Sequence, residues 1–62
     1  MRMNFRIHPV LVPGEVYELR FVNSGVTGTF LFLGEQRFFC LFRARNGESI
    51  RVLYADVRWA RG

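Results

Sequence analysis

Lysine is absent from this 62-residue chain, and cysteine and histidine occur once each. A single cysteine, Cys40, permits no intramolecular disulfide, so packing must hold the fold in a reducing compartment, and a cytoplasmic protein is expected. Cys40 lies in the most apolar run and reads as a small buried hydrophobe. One histidine, His8, and one cysteine cannot supply a metal-ligand spacing, so neither metal nor cofactor is expected. Acids are also few, five in all. Glu15 and Glu18 would point to opposite faces of a strand and cannot act as a carboxylate pair. The glycines are scattered, with no phosphate-binding fingerprint, and Cys40 has no evident base. These absences leave no candidate catalytic residue, and the chain reads as no enzyme. No apolar run approaches the ~20 residues of a membrane-spanning helix and no leader pattern follows Met1, so no membrane partner is expected.

What is present is arginine and grease. Nine arginines against five acids give a net charge of +4 and a pI near 10.7, and half of the residues are apolar. A strongly basic domain suits a polyanion such as RNA or single-stranded DNA. Arginine without lysine fits selection for forked, stacking cations and fits a GC-rich genome equally well. A chain of this size buries only about 60% of its unfolded surface, which places it at the lower limit of independent stability and favours completion of the core by a second copy.

Residues 1–14, MRMNFRIHPVLVPG, carry Pro9, Pro13 and Gly14, which predict an extended N-terminal arm with a short strand at Met3 to Ile7. Residues 15–62 read as one domain. Turn signals at Asn23-Ser24-Gly25, Gly34-Glu35-Gln36 and Asn46-Gly47 separate runs of Val, Phe, Leu and Tyr, which predicts an antiparallel meander. Its strands are expected over 15–22, 26–33, 37–44 and 48–54. A short last strand over 57–60 follows Ala55-Asp56, which suits a single helical turn capped by Asp56.

Strand parity sets the register, because a slip of one residue turns every side chain to the other face. A three-residue loop Arg45-Asn46-Gly47, with Gly47 left-handed in a bulged turn, opposes Ala44 to Glu48, Phe42 to Ile50, Cys40 to Val52 and Phe38 to Tyr54. The same logic at Gly34-Glu35-Gln36 opposes Phe32 to Phe38, Phe30 to Cys40 and Gly28 to Phe42. Both hairpins then select one inner set: Phe30, Phe32, Phe38, Cys40, Phe42, Ile50, Val52 and Tyr54. Tyr17, Leu19 and Phe21 match it in the first strand, Gly28 marks a sharp bend, and Trp59 is expected to close the core. The fold class is all-β, a small five-stranded SH3-like (Sm-like) barrel with an extended N-terminal arm.

The opposite face carries Leu31, Leu33, Phe39, Leu41 and Leu53 alongside Arg37, Arg43 and Arg51. That is too apolar for a solvated surface. Burial beneath the arm and an exposed interface both account for it, and the two are compatible. Within it Arg37, Phe39, Leu41, Arg43, Arg51 and Leu53, extended by Arg45 in the hairpin loop, form the candidate nucleic-acid or partner-binding patch. Aromatic faces stack on unpaired bases while arginines hold phosphates.

The pattern resembles the Sm-like family, including its Hfq branch. "LRFVNSGVTGTFLFLGEQRFFCLF", Leu19 to Phe42, is similar to the first Sm motif, and "IRVLYADVRWA", Ile50 to Ala60, to the second. The resemblance implies a ring-forming barrel that binds RNA. Tyr54-Ala55-Asp56 stands where the family has an Arg-Gly or Lys-His signature, so no base-reading residue carries over. SH3-like barrels of the Tudor or KOW type share the same strand order and short last connection. Two functions therefore stand: a non-catalytic nucleic-acid-binding barrel acting as a homo-oligomer, or a protein-interaction or assembly subunit of phage or mobile-element type.

Overall fold

The computed structural model describes residues 10–61; the strand expected at Met3 to Ile7 lies outside them. Strands β1 (Val16–Phe21), β2 (Thr27–Gln36), β3 (Phe39–Ala44), β4 (Ser49–Leu53) and β5 (Val57–Arg61) follow one another, with a single 3-10 turn, η1 (Tyr54–Asp56), before the last. They form one antiparallel sheet in the order β4-β3-β2-β1-β5. The all-β class and the meander are thus observed. Among the described residues the sheet is open, with β4 and β5 as its two edges, so the closure expected of a barrel is not observed. No helix among the described residues is long and apolar enough to cross a membrane.

Each connection follows from its residues. Glu15 N–H donates to the Val12 carbonyl at 3.1 Å around Pro13-Gly14, and Gly14 takes φ +90°, as a proline–glycine turn of type II requires. The clamp continues onto β2: Gly14 N–H donates to the Phe32 carbonyl and Phe32 N–H to the Glu15 carbonyl, at 2.8 and 3.0 Å. The Val12 N–H donates to the Tyr17 hydroxyl, and Leu11 is buried in the core. The β3–β4 loop has the expected bulged geometry, with Gly47 at φ +91° and Ala44 N–H donating to the Glu48 carbonyl at 2.8 Å. Cys40 accordingly opposes Val52 and Phe42 opposes Ile50.

The β2–β3 hairpin differs from the expected register. Gly34 is not in a turn. It sits at a bulge between Phe32 and Gly34 with φ +152°, a conformation open to glycine because it lacks Cβ. The strand then runs on to Gln36 opposite Phe39, and the reversal falls at Arg37-Phe38. Phe32 therefore opposes Phe42, not Phe38; Phe30 opposes Ala44, not Cys40; and Gly28 opposes Leu19, not Phe42. Phe38 leaves the expected inner set altogether, standing at the hairpin tip with 74% of its surface exposed. The other inner residues keep their face because the register below the bulge changes by an even number.

The core comprises Leu11, Tyr17, Leu19, Phe32, Cys40, Phe42, Val57 and Trp59, with Phe21, Phe30, Ile50, Val52 and Tyr54 packed against it. Phe42 is fully buried between two rings, with centroids 5.2 Å from Phe32 and 6.2 Å from Phe30. Such tilted and edge-on pairs add about 0.5–1.5 kcal/mol each beyond the area they bury. Gly28 serves the same cluster, since a Cβ there would come within 2.9 Å of the Phe30 ring. Phe42→Ala is expected to lower unfolding free energy by about 3–5 kcal/mol in urea titrations. A loss below about 1 kcal/mol would contradict the central placement of this ring.

Candidate functional site

The outer face is built by the odd-numbered residues of β3 and β4. Leu41 opposes Arg51 and Phe39 opposes Leu53, while Arg43 opposes Leu31 of β2. Arg43 and Arg51 are exposed; Phe39, Leu41 and Leu31 are half-buried. The Arg51 guanidinium lies over the Phe39 ring, 5.2 Å from its centroid. A cation over an aromatic face is attracted by the ring quadrupole, which holds the two groups stacked one over the other.

The structure divides the seven expected site residues into two grooves rather than one patch. Arg43 and Arg45 line a groove of about 270 Å³ with Val16, Thr29, Phe30 and Leu31. Phe39, Arg51 and Leu53 line another, of about 410 Å³, with Phe21, Asn23, Ser24 and Asp56. Leu41 lies between the two, beside Arg51. Arg37 belongs to neither: it occupies the tip of the β2–β3 hairpin with φ +51°, a left-handed value uncommon outside glycine.

The second groove follows the edge of β4 to the β1–β2 turn. That turn closes on itself, with Phe21 N–H donating to the Val26 carbonyl and Gly25 N–H to the Phe21 carbonyl, at 2.8 and 2.7 Å. Val22 N–H donates to the Asp56 carbonyl and so ties the turn to η1. Asn23, Ser24 and Asp56 were legible in the sequence only as turn and cap residues. Their place beside Arg51 depends on the curl of the sheet, for which a linear pattern carries no signal.

On the inner side, Cys40, Glu35 and Tyr54 meet at the bulged end of the sheet. Glu35 opposes Cys40, a position it owes to the bulge. The Tyr54 hydroxyl donates to the Glu35 carboxylate at 2.5 Å. Burial pushes the Cys40 thiol up, against the lowering influence of the neighbouring Tyr54 hydroxyl, and the Glu35 charge adds to the rise. Burial, followed by the bond to Glu35, likewise pushes the Tyr54 phenol up. A fully buried thiol held protonated is a poor nucleophile. Among the described residues no group of three His, Cys, Asp or Glu side chains could hold a metal ion.

No protein family, no curated protein and no solved structure matches this chain.

The Cys40–Tyr54 pair makes stability sensitive to alkali. Both groups have raised pKa values in the fold, from ordinary values of 9.0 and 10.0, so their neutral forms are favoured there. Their contribution is complete below those ordinary values and is lost as the pH rises past them. The urea midpoint is therefore expected to fall steadily above pH ~9. Tyr54→Phe, which removes a hydrogen bond near the surface, should cost no more than about 1 kcal/mol at neutral pH and flatten the decline above pH ~10. A decline parallel to wild type in that variant would contradict the assignment.

Proposed function

We propose that the protein is a non-catalytic binding module that takes single-stranded nucleic acid, RNA or DNA, across the outer face of β3 and β4. The observation that carries this reading is the Arg51–Phe39 platform. Half-buried Leu41 separates Phe39 from exposed Arg43 along β3, on a chain of net charge +4. Stacking on such platforms contributes about 1–3 kcal/mol per base and tolerates any sequence, while flanking guanidiniums neutralise phosphates. The two grooves give the strand a path on either side of Leu41, with Arg43 and Arg45 at one end and Arg51 at the other.

The strand order supports an SH3-like reading of the fold in which the sheet stays open between β4 and β5 and the 3-10 turn makes the last crossing. That open margin supports a homo-oligomer. Among the described residues β4 hydrogen-bonds to β3 on one side only, and an unpaired strand edge is a template for another chain. Exposed Leu53 and Val16 add apolar surface that a second copy would cover.

Titration of single-stranded oligonucleotides at two salt concentrations tests the binding. Affinity is expected to fall steeply with salt, and Arg43→Ala and Arg51→Ala are each expected to reduce the salt slope by about one unit across sequences while leaving the fold intact. Unchanged affinity in the folded double variant would overturn the reading and leave docking of a protein partner as the better account of the face.

Self-association is expected in sedimentation at high micromolar concentration. A proline at Arg51 or Leu53, which breaks edge pairing or strains β4, should shift the chain towards monomer. Monomer alone in the wild type would contradict the oligomeric arrangement.

A further inference from the structure

The two outer grooves differ in charge. The first is lined by Arg43 and Arg45 with no acid, whereas the second, along β4, holds Arg51 together with Asp56. Among the described residues Asp56 is the one carboxylate that lines either groove. A carboxylate on the path of a polyanion repels phosphate, so it lowers affinity unless it contacts another part of the ligand. Nor does it serve as a cap. The 3-10 turn η1 begins at Leu53 with no side-chain cap, and its tie to the β1–β2 turn uses the Asp56 carbonyl, which accepts from Val22 N–H at 2.9 Å.

The rest of this groove joins apolar surface to a few polar groups. Phe21, Phe39 and Leu53 supply the apolar part, with the Arg51 guanidinium over the Phe39 ring. Asn23, Ser24 and Asp56 supply the polar part. The Ser24 hydroxyl accepts from Val26 N–H at 3.2 Å, which leaves its own proton to donate to a ligand, and the Asn23 amide offers both a donor and an acceptor. The backbone bond between Val22 and Asp56 holds the two polar segments together. A volume of about 410 Å³ falls within the roughly 300–1,000 Å³ of small-molecule sites, enough for one unstacked base and its sugar.

We propose that this groove reads guanine, with Asp56 as the residue that selects it. The inference rests on the single-strand reading above and names the base that reading leaves open. Of the common bases only guanine presents two adjacent donors on its Watson–Crick edge, N1–H and the 2-amino group, and the two oxygens of a carboxylate accept both. Adenine and cytosine each set one amino donor beside a ring acceptor that a carboxylate repels. Uracil and thymine set N3–H between two carbonyls. Asn23 and Ser24 supply donors for guanine O6, and the Phe39–Arg51 pair supplies a surface for the face of the ring.

The test measures the affinity of the full chain for deoxypentanucleotides that are thymidine throughout except at the centre, where the base is guanine, hypoxanthine, adenine, cytosine or thymine. The guanine pentamer is expected to bind about tenfold more tightly than those with adenine, cytosine or thymine. Hypoxanthine keeps N1–H but lacks the 2-amino group, and should lose most of that advantage. Asp56→Asn, which sets an amide donor where the second acceptor oxygen stood, should bring all the pentamers to within about twofold of one another. Equal affinities in the wild type overturn the selection of guanine and leave the single-strand reading standing, whereas no binding of any pentamer overturns both. A preference that hypoxanthine shares in full, or that persists in Asp56→Asn, overturns the role of the carboxylate. The comparison of guanine with hypoxanthine is made on the wild-type chain, so it decides the matter even where the variant fails to fold.

Discussion

The packing of Phe42 against Phe32, directly opposed on β3 and β2, is the contact from which the rest of the chain takes its position. It sets the parity of both strands, so Leu41 and Arg43 on either side of Phe42 must face outward. Phe32 is held from its other side by Tyr17, whose ring meets it edge-on at 6.4 Å. Its backbone is held by Gly14 and Glu15. The inner rings and the proline–glycine clamp therefore converge on one residue, and the outer face is displayed as their by-product. In a chain this short there is little other apolar volume to distribute, so a few aromatic contacts carry most of the organisation.

How far the sequence disclosed this arrangement depended on what each glycine was doing. Asn46-Gly47 is a strong turn signal, and it placed the β3–β4 loop and its register correctly. Gly34 was misleading, because glycine serves bulges as readily as turns, and Arg37-Phe38 carries no turn chemistry to compete with it. Phe38 was misassigned to the core for that reason alone. The inner face survived the error because the shift was even. Burial of Cys40 and Trp59, and the short turn before β5, were legible from local composition. The partition of the seven surface residues into two grooves was not, since it reflects how far β4 curls towards the β1–β2 turn.

The arginines fall into groups with different surroundings. Arg43, Arg45 and Arg51 sit among leucine and phenylalanine on the outer strands, where a cation lies beside a stacking surface. Arg20 and Arg58 are paired across the β1–β5 ladder, with the Arg58 guanidinium hydrogen-bonded to the Val57 carbonyl. One residue type thus stands over an aromatic ring in one place and against a backbone carbonyl in another. The inner side adds a third environment, in which the Glu35 charge is taken up by the Tyr54 hydroxyl and the sulfur of Cys40 is shielded from solvent.

The β1–β5 ladder has a bearing on how the chain folds. Every other ladder joins neighbouring strands and can zip from its own turn. In this one Leu19 pairs with Trp59, about 40 residues away along the chain. Closing such a loop costs entropy before any contact repays it, so the hairpins can form early while the last strand waits. Until it docks, Leu19 lacks the Trp59 backbone beside it and Val57 is still outside the core. Until then the assembled meander has one flank bare, and β5, the strand farthest along the chain from its partner, is the element that covers it.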